Sequence, residues 1–245
     1  ALSPPKVKKL YLGNVQDAGI LDAICRNMPG LETLSLVQPC FYESTYRCNV
    51  LPLASLSSLR SLSLSLKFCG GFGGVEQVFA RLDSLKSLYV MSIKYVQEQN
   101  LVHAYPQSLE CLHVGTIEGH DVFCSMCSAI ASAKPNIREM QVDFLDFSPI
   151  FSRVGSGQSL QPVSQALSSM PEGFRLGVHT LHARESMNAL ISFCAQWPEM
   201  AATLRDVRLS TLDGVHERIS ATRFAELTRL CPSLESMCWS LFILY

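Results

Sequence analysis

A six-residue pattern of apolar positions returns along the whole chain. It consists of an apolar residue, two free positions, a second apolar residue, one free position and a third apolar residue. The nine copies begin at Val7, Leu31, Leu59, Leu85, Leu109, Ile137, Val178, Leu204 and Leu234, with spacings of 24, 28, 26, 24, 28, 41, 26 and 30 residues. Because the last three positions of each copy alternate apolar, free and apolar, each copy predicts a short β-strand with one buried face.

Between the predicted strands, apolar residues recur with the spacing of one face of an α-helix. The segments are 18–25, 75–82, 122–130, 190–197 and 224–230, and the last of them is marked by Phe224, Leu227 and Leu230. Prolines follow several helical segments, at Pro29, Pro135, Pro171, Pro198 and Pro232. Proline cannot continue a helix, so each one predicts that a helix stops before the next strand. Strands this short must stack in parallel and share one core, which predicts a solenoid.

This succession of helix, proline and strand resembles the leucine-rich-repeat family, and the resemblance covers almost the entire chain. It is similar to the helix-bearing repeats of F-box and ribonuclease-inhibitor-like proteins, because Cys231-Pro232-Ser233-Leu234 resembles the F-box repeat consensus. The resemblance implies an α/β fold, namely a curved solenoid of about nine repeats. We expect parallel strands on its concave face, helices on its convex face, and a single domain over residues 1–245.

The 41-residue spacing is the exception to the repeat. We expect residues 143–173 to contain an inserted polar loop, since 153–159 read RVGSGQS. Such insertions often map to the binding face of a solenoid, and a surface loop without a binding role is the alternative. At the other irregular place, the apolar segment 239–245 follows the ninth strand. Because the end of a repeat stack exposes core, we expect this end to continue into further chain or to contact another subunit.

Composition and charge exclude several functional classes. The 245 residues carry 20 basic and 21 acidic side chains, for a net charge of −1, so a strongly cationic nucleic-acid binder is excluded and attraction to anionic membranes is not expected. No run approaches the ~20 apolar residues of a membrane helix. The 10 cysteines are scattered and no Asn-x-Ser/Thr sequon occurs, which favours reduced thiols in an intracellular protein, cytoplasmic or nuclear.

Two groups of residues were candidates for metal binding or catalysis. His120, Cys124 and Cys127 lie at zinc-ligand spacing on one helix, yet nothing nearby in sequence supplies a fourth ligand, and both cysteines fall on core positions. Cys111 and His113 lie two apart on one strand and therefore face the same way, but no acid to orient the histidine is evident. We therefore predict a non-enzyme without metal or cofactor.

The residues that flank the middle apolar position of each copy should form the concave face. From this set we select side chains suited to binding, because tyrosine and arginine are typical interface anchors. The candidates are Tyr11, Tyr89, His113, Glu139, Gln141, His182, Asp206 and Arg208. Ordinary solvated strand residues are the alternative.

The predicted function is a non-catalytic interaction module that binds a protein or peptide on its concave face. The F-box resemblance implies substrate recognition for a ubiquitin ligase. The alternative is a structural subunit of a large multiprotein assembly, held through the apolar C-terminal end.

Overall fold

The computed structural model describes residues 7–13, 19–37, 50–64, 75–93, 100–133, 136–147, 160–183, 186–212 and 220–242. Over these residues, one sheet contains nine strands that lie side by side in chain order. They are β1 (Lys9–Gly13), β2 (Thr33–Val37), β3 (Ser61–Leu64), β4 (Ser87–Ile93), β5 (Cys111–Glu118), β6 (Glu139–Phe147), β7 (Arg175–Ala183), β8 (Asp206–Leu212) and β9 (Ser236–Phe242). Every neighbouring pair is parallel, as a stack of repeats requires.

Helical segments connect each described strand to the next. In chain order they are α1 (Ile20–Asn27), a 3-10 helix (Leu51–Ser55), α2 (Val75–Phe79), α3 (Asn100–Ala104), α4 (His120–Ala133), α5 (Leu160–Ser168), α6 (Met187–Gln196), α7 (Pro198–Ala201) and α8 (Ala221–Leu230). Both α6 and α7 lie between β7 and β8. In α1, the helical spacing predicted from the sequence places Leu21, Ile24 and Cys25 in the core.

The middle apolar position of the six-residue pattern forms a buried row across the sheet. Neighbours in this row lie opposite one another and are at most 1% exposed: Leu34, Leu62, Leu88, Leu112 and Met140. Burying a leucine-sized side chain contributes about 1.5–3 kcal/mol, and here each one packs between neighbouring repeats. The predicted fold class is confirmed: the chain folds as an α/β leucine-rich-repeat solenoid with about nine repeats.

The two layers of the solenoid need different widths. Parallel strands are about 4.8 Å apart, whereas a helix with its side chains is about 10 Å wide. A stack of such repeats therefore bends towards its strands. This places the strand face that points away from the helices, called here the open face, on the inner side of the curve.

Most strands start with the same backbone contact to the preceding repeat. The carbonyl of Lys8 accepts hydrogen bonds from the N–H groups of Glu32 and Thr33, at 2.8 and 2.9 Å. The same paired contact recurs at the carbonyls of Glu32, Arg60, Lys86, Glu110 and Arg205. At β8 the contact moves, because the N–H of Arg205 donates to the carbonyl of His179, in the middle of β7, at 2.8 Å.

A change of register within β7 accounts for the long spacing. β6 and β7 pair along their whole length, with Met140 opposite Leu176. β8 pairs only with the second half of β7, where Val207 lies opposite Leu181. The six-residue pattern aligned Leu181, rather than Leu176, with Met140, and that alignment is wrong by five residues. β7 carries two buried sets of side chains: β6 lies opposite both of them, whereas β8 lies opposite the second set alone.

The pairing is also interrupted at one level of four neighbouring strands. Met91, Gly115, Asp143 and His179 have no partner in the register, while the residues on either side of them are paired. The alternation of buried and exposed side chains changes phase there, as it does at a β-bulge. Two successive residues of β6, Asp143 and Phe144, are thereby left partly exposed.

The segment predicted as an insertion is divided among several elements. Residues 143–147 belong to β6, 160–168 form α5, and 171–173 lie in the turn before β7. The polar stretch 153–159 lies outside the described residues. At the C-terminal end, β9 includes residues 239–242, and 243–245 lie outside the described residues.

Candidate functional site

The first half of the open face is built from small hydroxyl side chains. In register, Tyr11 of β1 is followed by Ser35, Ser63 and Tyr89 on the next three strands. Tyr11 is 68% exposed and is separated from Tyr89 by three strand spacings, about 14 Å. The structure therefore does not bring Tyr11 together with the other predicted site residues.

A carboxylate shared by two histidines lies at the centre of the open face. The Oδ1 atom of Asp143 lies 2.8 Å from Nε2 of His113 on β5 and 3.2 Å from Nδ1 of His179 on β7. The interruption in the pairing places Asp143 and His179 at this level. The ring of Tyr89 packs edge-on against His113, with centroids 4.7 Å apart. All three polar side chains are 34–45% exposed, so they are accessible to a ligand.

A second cluster lies one level further along the strands. Nδ1 of His182 lies 3.3 Å from Oδ1 of Asp146. The Arg208 guanidinium contacts Oδ2 of Asp206 through Nε at 3.1 Å and through a terminal nitrogen at 3.0 Å. It also lies 5.9 Å from the centre of the Phe144 ring, a cation–π distance. The other oxygen of Asp206, Oδ1, is buried and has no hydrogen-bond partner among the described residues.

A third group lies at the start of β6 and β7. A terminal nitrogen of Arg175 lies 2.9 Å from Oε2 of Glu139, and the Gln141 side-chain amide donates to Oε1 of the same carboxylate at 2.7 Å. Glu139 therefore uses both oxygens within the open face.

The histidine, acidic and aromatic side chains on β4–β8 form one continuous surface, called here the central patch. Its members are Tyr89, His113, Asp143, Phe144, Asp146, His179, His182, Asp206 and Arg208. Five of the residues selected from the sequence belong to it: Tyr89, His113, His182, Asp206 and Arg208. Glu139 and Gln141 lie beside it, and Tyr11 lies apart.

Sequence reasoning missed four members of the central patch: Asp143, Phe144, Asp146 and His179. It considered only the residues flanking the middle position of each copy, and it expected an inserted polar loop within residues 143–173. A signal was nevertheless present, because Leu145 and Phe147 form a second apolar alternation three residues after Val142, and both are buried. Following that alternation would have extended β6 and placed Asp146 on the open face.

The expectation that no acid accompanies the Cys111–His113 pair is wrong, since Asp143 contacts His113. The pKa of the Cys111 thiol is raised, first by burial and then by the nearby carboxylates of Glu139 and Glu110. A raised pKa keeps the sulfur protonated at neutral pH, whereas a cysteine nucleophile reacts as the thiolate. The surroundings of Cys111 therefore oppose nucleophilic chemistry.

The residues weighed as zinc ligands lie mostly in the core. Cys127 is fully buried in α4, and burial raises the pKa of Cys124 to about 11. His120 Nε2 contacts Asp121 at 2.9 Å. Across the parts of the chain that the structure describes, no three His, Cys, Asp or Glu side chains are arranged to hold a metal ion. Over the same residues, no helix combines the length and apolar character needed to cross a bilayer.

No protein-family model and no curated protein matches the chain. Solved structures with a similar fold include the leucine-rich repeat-containing protein LegL7 from Legionella pneumophila, at 13% identity and a TM-score of 0.49, covering 96% of this chain and 83% of LegL7. An internalin (inlF) from Listeria monocytogenes gives 12% identity and a TM-score of 0.34, covering 96% of this chain and 87% of its own. These identities and TM-scores are too low to carry the fold assignment, which is based on the parallel sheet and its register.

Proposed function

We propose that the chain is a non-catalytic interaction module that binds a protein or peptide through the central patch. The observation that carries this proposal is the joining of aromatic, histidine and charged side chains from five neighbouring strands on the open face. From β4 to β8 the patch spans about 19 Å, enough for an extended segment of about six residues or for one helix.

The charges of the central patch indicate the chemistry of the partner. Apart from its histidines, the patch carries three carboxylates and the single guanidinium of Arg208. Asp143 contacts the imidazoles of His113 and His179 and has no lysine or arginine partner among the described residues. A lysine or arginine of a partner would complement this carboxylate, with Tyr89 and Phe144 beside it for apolar contact. We therefore infer a partner segment that combines basic and apolar side chains.

Variants of the central patch test this proposal by affinity capture from native lysate. Tyr89→Ala with Arg208→Ala should lose a specific set of bound proteins, while Arg229→Ala, which removes an exposed cation from α8, should retain it. Unchanged melting temperatures would show that the loss is local. Retention of the same bound proteins by the Tyr89/Arg208 variant would contradict the proposal.

On the resemblance of 231–234 to the F-box consensus, we further propose substrate recognition for a ubiquitin ligase. Cys231 is buried at the end of α8, with its Sγ atom 3.6 Å from that of Cys194. This part of the motif therefore packs in the core between repeats. Co-precipitation of the full-length protein with a ligase scaffold, and accumulation of its bound proteins when the ligase is inhibited, would support the role. Absence of both would contradict it.

The exposed last helix favours the second candidate, a subunit of a larger assembly. Phe224, expected in the core from its spacing, is 46% exposed, and Leu227 is the one fully buried residue of α8. A stable, stoichiometric set of companions lost on Phe224→Ser, but kept in the Tyr89/Arg208 variant, would support this candidate. Loss only in the Tyr89/Arg208 variant would exclude it.

We also propose an intracellular location, cytoplasmic or nuclear. The seven cysteines that the structure describes are all unpaired thiols, which is typical of reducing compartments. Microscopy of the tagged full-length protein tests this location, and a secreted product would contradict it.

A further inference from the structure

The register change leaves the first half of β7 without a neighbouring strand on one side. β6 pairs with β7 from Arg175 onwards, whereas β8 begins opposite Thr180. The short helix α7, which precedes β8 in the chain, packs against β7. Within the described residues, β7 from Arg175 to Val178 is therefore a local sheet edge.

The Thr203 side chain forms a hydrogen bond with one backbone N–H group of this edge. The N–H of Val178 donates to Oγ1 of Thr203 at 2.8 Å. The N–H of Arg175 points the other way, to the carbonyl of Arg138 beside β6. Because successive N–H groups of a strand alternate in direction, the N–H of Leu176 points to the same side as that of Val178. Thr203 serves Val178, and no described strand pairs with Leu176 on this side.

A cleft of about 530 Å³ opens beside Leu176. Its walls include Met170, Phe174, Trp197 and Met200. The indole N–H of Trp197 donates to Oγ of Ser164 at 3.0 Å, which fixes the ring as one wall. The cleft, called here the edge cleft, therefore offers apolar walls next to an unpaired strand, and its volume lies in the range of ligand sites.

The mouth of the edge cleft is acidic. Glu199 lines it, and Glu172 lies between the lining residues Pro171 and Gly173. Both carboxylates are exposed and neither has an ion-pair partner among the described residues. The cation of the lining, Arg175, is engaged with Glu139. The uncompensated charge at the mouth is therefore negative, and a basic group complements it.

We propose that the edge cleft binds an extended peptide segment of a partner protein, as a second site apart from the central patch. The segment would hydrogen-bond to the backbone of Leu176, insert one apolar side chain between Phe174 and Trp197, and place a lysine or arginine beside Glu172 and Glu199. Main-chain hydrogen bonds to an edge strand give affinity, and the pocket and the carboxylates give selectivity.

Selection of a phage-displayed random octapeptide library against the purified chain tests the edge cleft. We expect peptides with an apolar residue next to a basic one, whose binding shifts the amide resonance of Leu176 and the indole resonance of Trp197. Ser168→Trp, at the wall of the cleft, and Glu199→Lys should each weaken these peptides about tenfold or more. Ser128→Trp, on the exposed side of α4, is the matched control and should leave binding unchanged.

The outcome distinguishes the two sites. Three results would overturn the proposal for the edge cleft. They are peptides that still bind the Ser168→Trp and Glu199→Lys variants, peptides that shift only central-patch resonances, and a library that yields no binder. Peptides lost in Tyr89→Ala alone would support the central patch while overturning the edge cleft.

Discussion

Replacing Thr203 by valine tests the register change in β7. Valine has nearly the shape of threonine and lacks the hydroxyl that substitutes for a strand. That hydroxyl accepts from the N–H of Val178 at 2.8 Å and lies 2.7 Å from the carbonyl of Met200 and 3.1 Å from that of Val178. Its single proton serves one carbonyl at a time, and the shorter distance favours Met200.

The expected cost depends on the groups left without partners. An unsatisfied buried donor costs about 1–3 kcal/mol. Thr203 is half-buried, so water can reach part of the gap, and we expect the free energy of unfolding to fall by about 1–2 kcal/mol. For a chain of this length, that corresponds to a melting temperature lower by about 2–8 °C.

Urea denaturation followed by circular dichroism measures this loss, with thermal unfolding as a second observable. Thr203→Ser keeps the hydroxyl and should lose less stability than Thr203→Val. Thr180→Val, a matched change on the open face, should stay within about 0.5 kcal/mol of the unmodified chain. Equal stability of Thr203→Val and the unmodified chain, or equal losses for the valine and serine variants, would contradict the role assigned to the Thr203 hydroxyl.

Two further predictions concern the core. Leu145 in β6 is 1% exposed, so Leu145→Ala should lower the free energy of unfolding, measured in urea, by about 2–5 kcal/mol. Thr116→Ala on the open face should change it by less than about 0.5 kcal/mol. Equal effects of the two changes would contradict the burial assigned to Leu145. Burial raises the pKa of Cys124 to about 11 and also raises that of Cys127, so both thiols stay protonated in the folded chain at pH values where the unfolded chain forms thiolates. Their stabilising contribution is complete below about pH 8.5 and is lost as pH rises from there towards 11. Alanine at both positions should therefore flatten the decline of stability over that range, and an unchanged slope would contradict the prediction.

The repeat could be predicted from the sequence because burial in each strand is set locally. Leu34 and Leu62 are buried for the same reason, namely their place in a short alternating run, and the six-residue pattern detects that place. Helix ends could be predicted for the same reason, because nearby residues determine them: α6 ends at Gln196, just before Pro198, as the proline predicts. Proline then begins α7, since its missing N–H costs nothing in the first helical turn.

The register change could not be predicted in the same way. β7 contains Leu176 and Val178 as well as Leu181 and Ala183, and both pairs alternate correctly. Which pair continues the row formed by Met140 and Val142 of β6 depends on the stacking of whole repeats, and the spacing pattern selected the pair that lies opposite β8.

The central patch was partly predictable for a related reason. Tyr89 and Arg208 flank middle positions of the pattern, so the sequence identified them. Asp143 and His179 reach the open face where the pairing is interrupted at the same level of neighbouring strands. That alignment arises between strands, and a reading of each strand alone cannot detect it.

Site-specific photo-crosslinking tests most directly whether the open face is the binding surface. A photoreactive amino acid at Gln141, exposed beside the central patch, is compared with the same amino acid at Ser128, exposed on α4. After irradiation in cells, we expect discrete crosslinked protein bands from position 141 and none of comparable yield from position 128. Crosslinks from the helix position alone, or equal yields from both, would contradict binding through the open face.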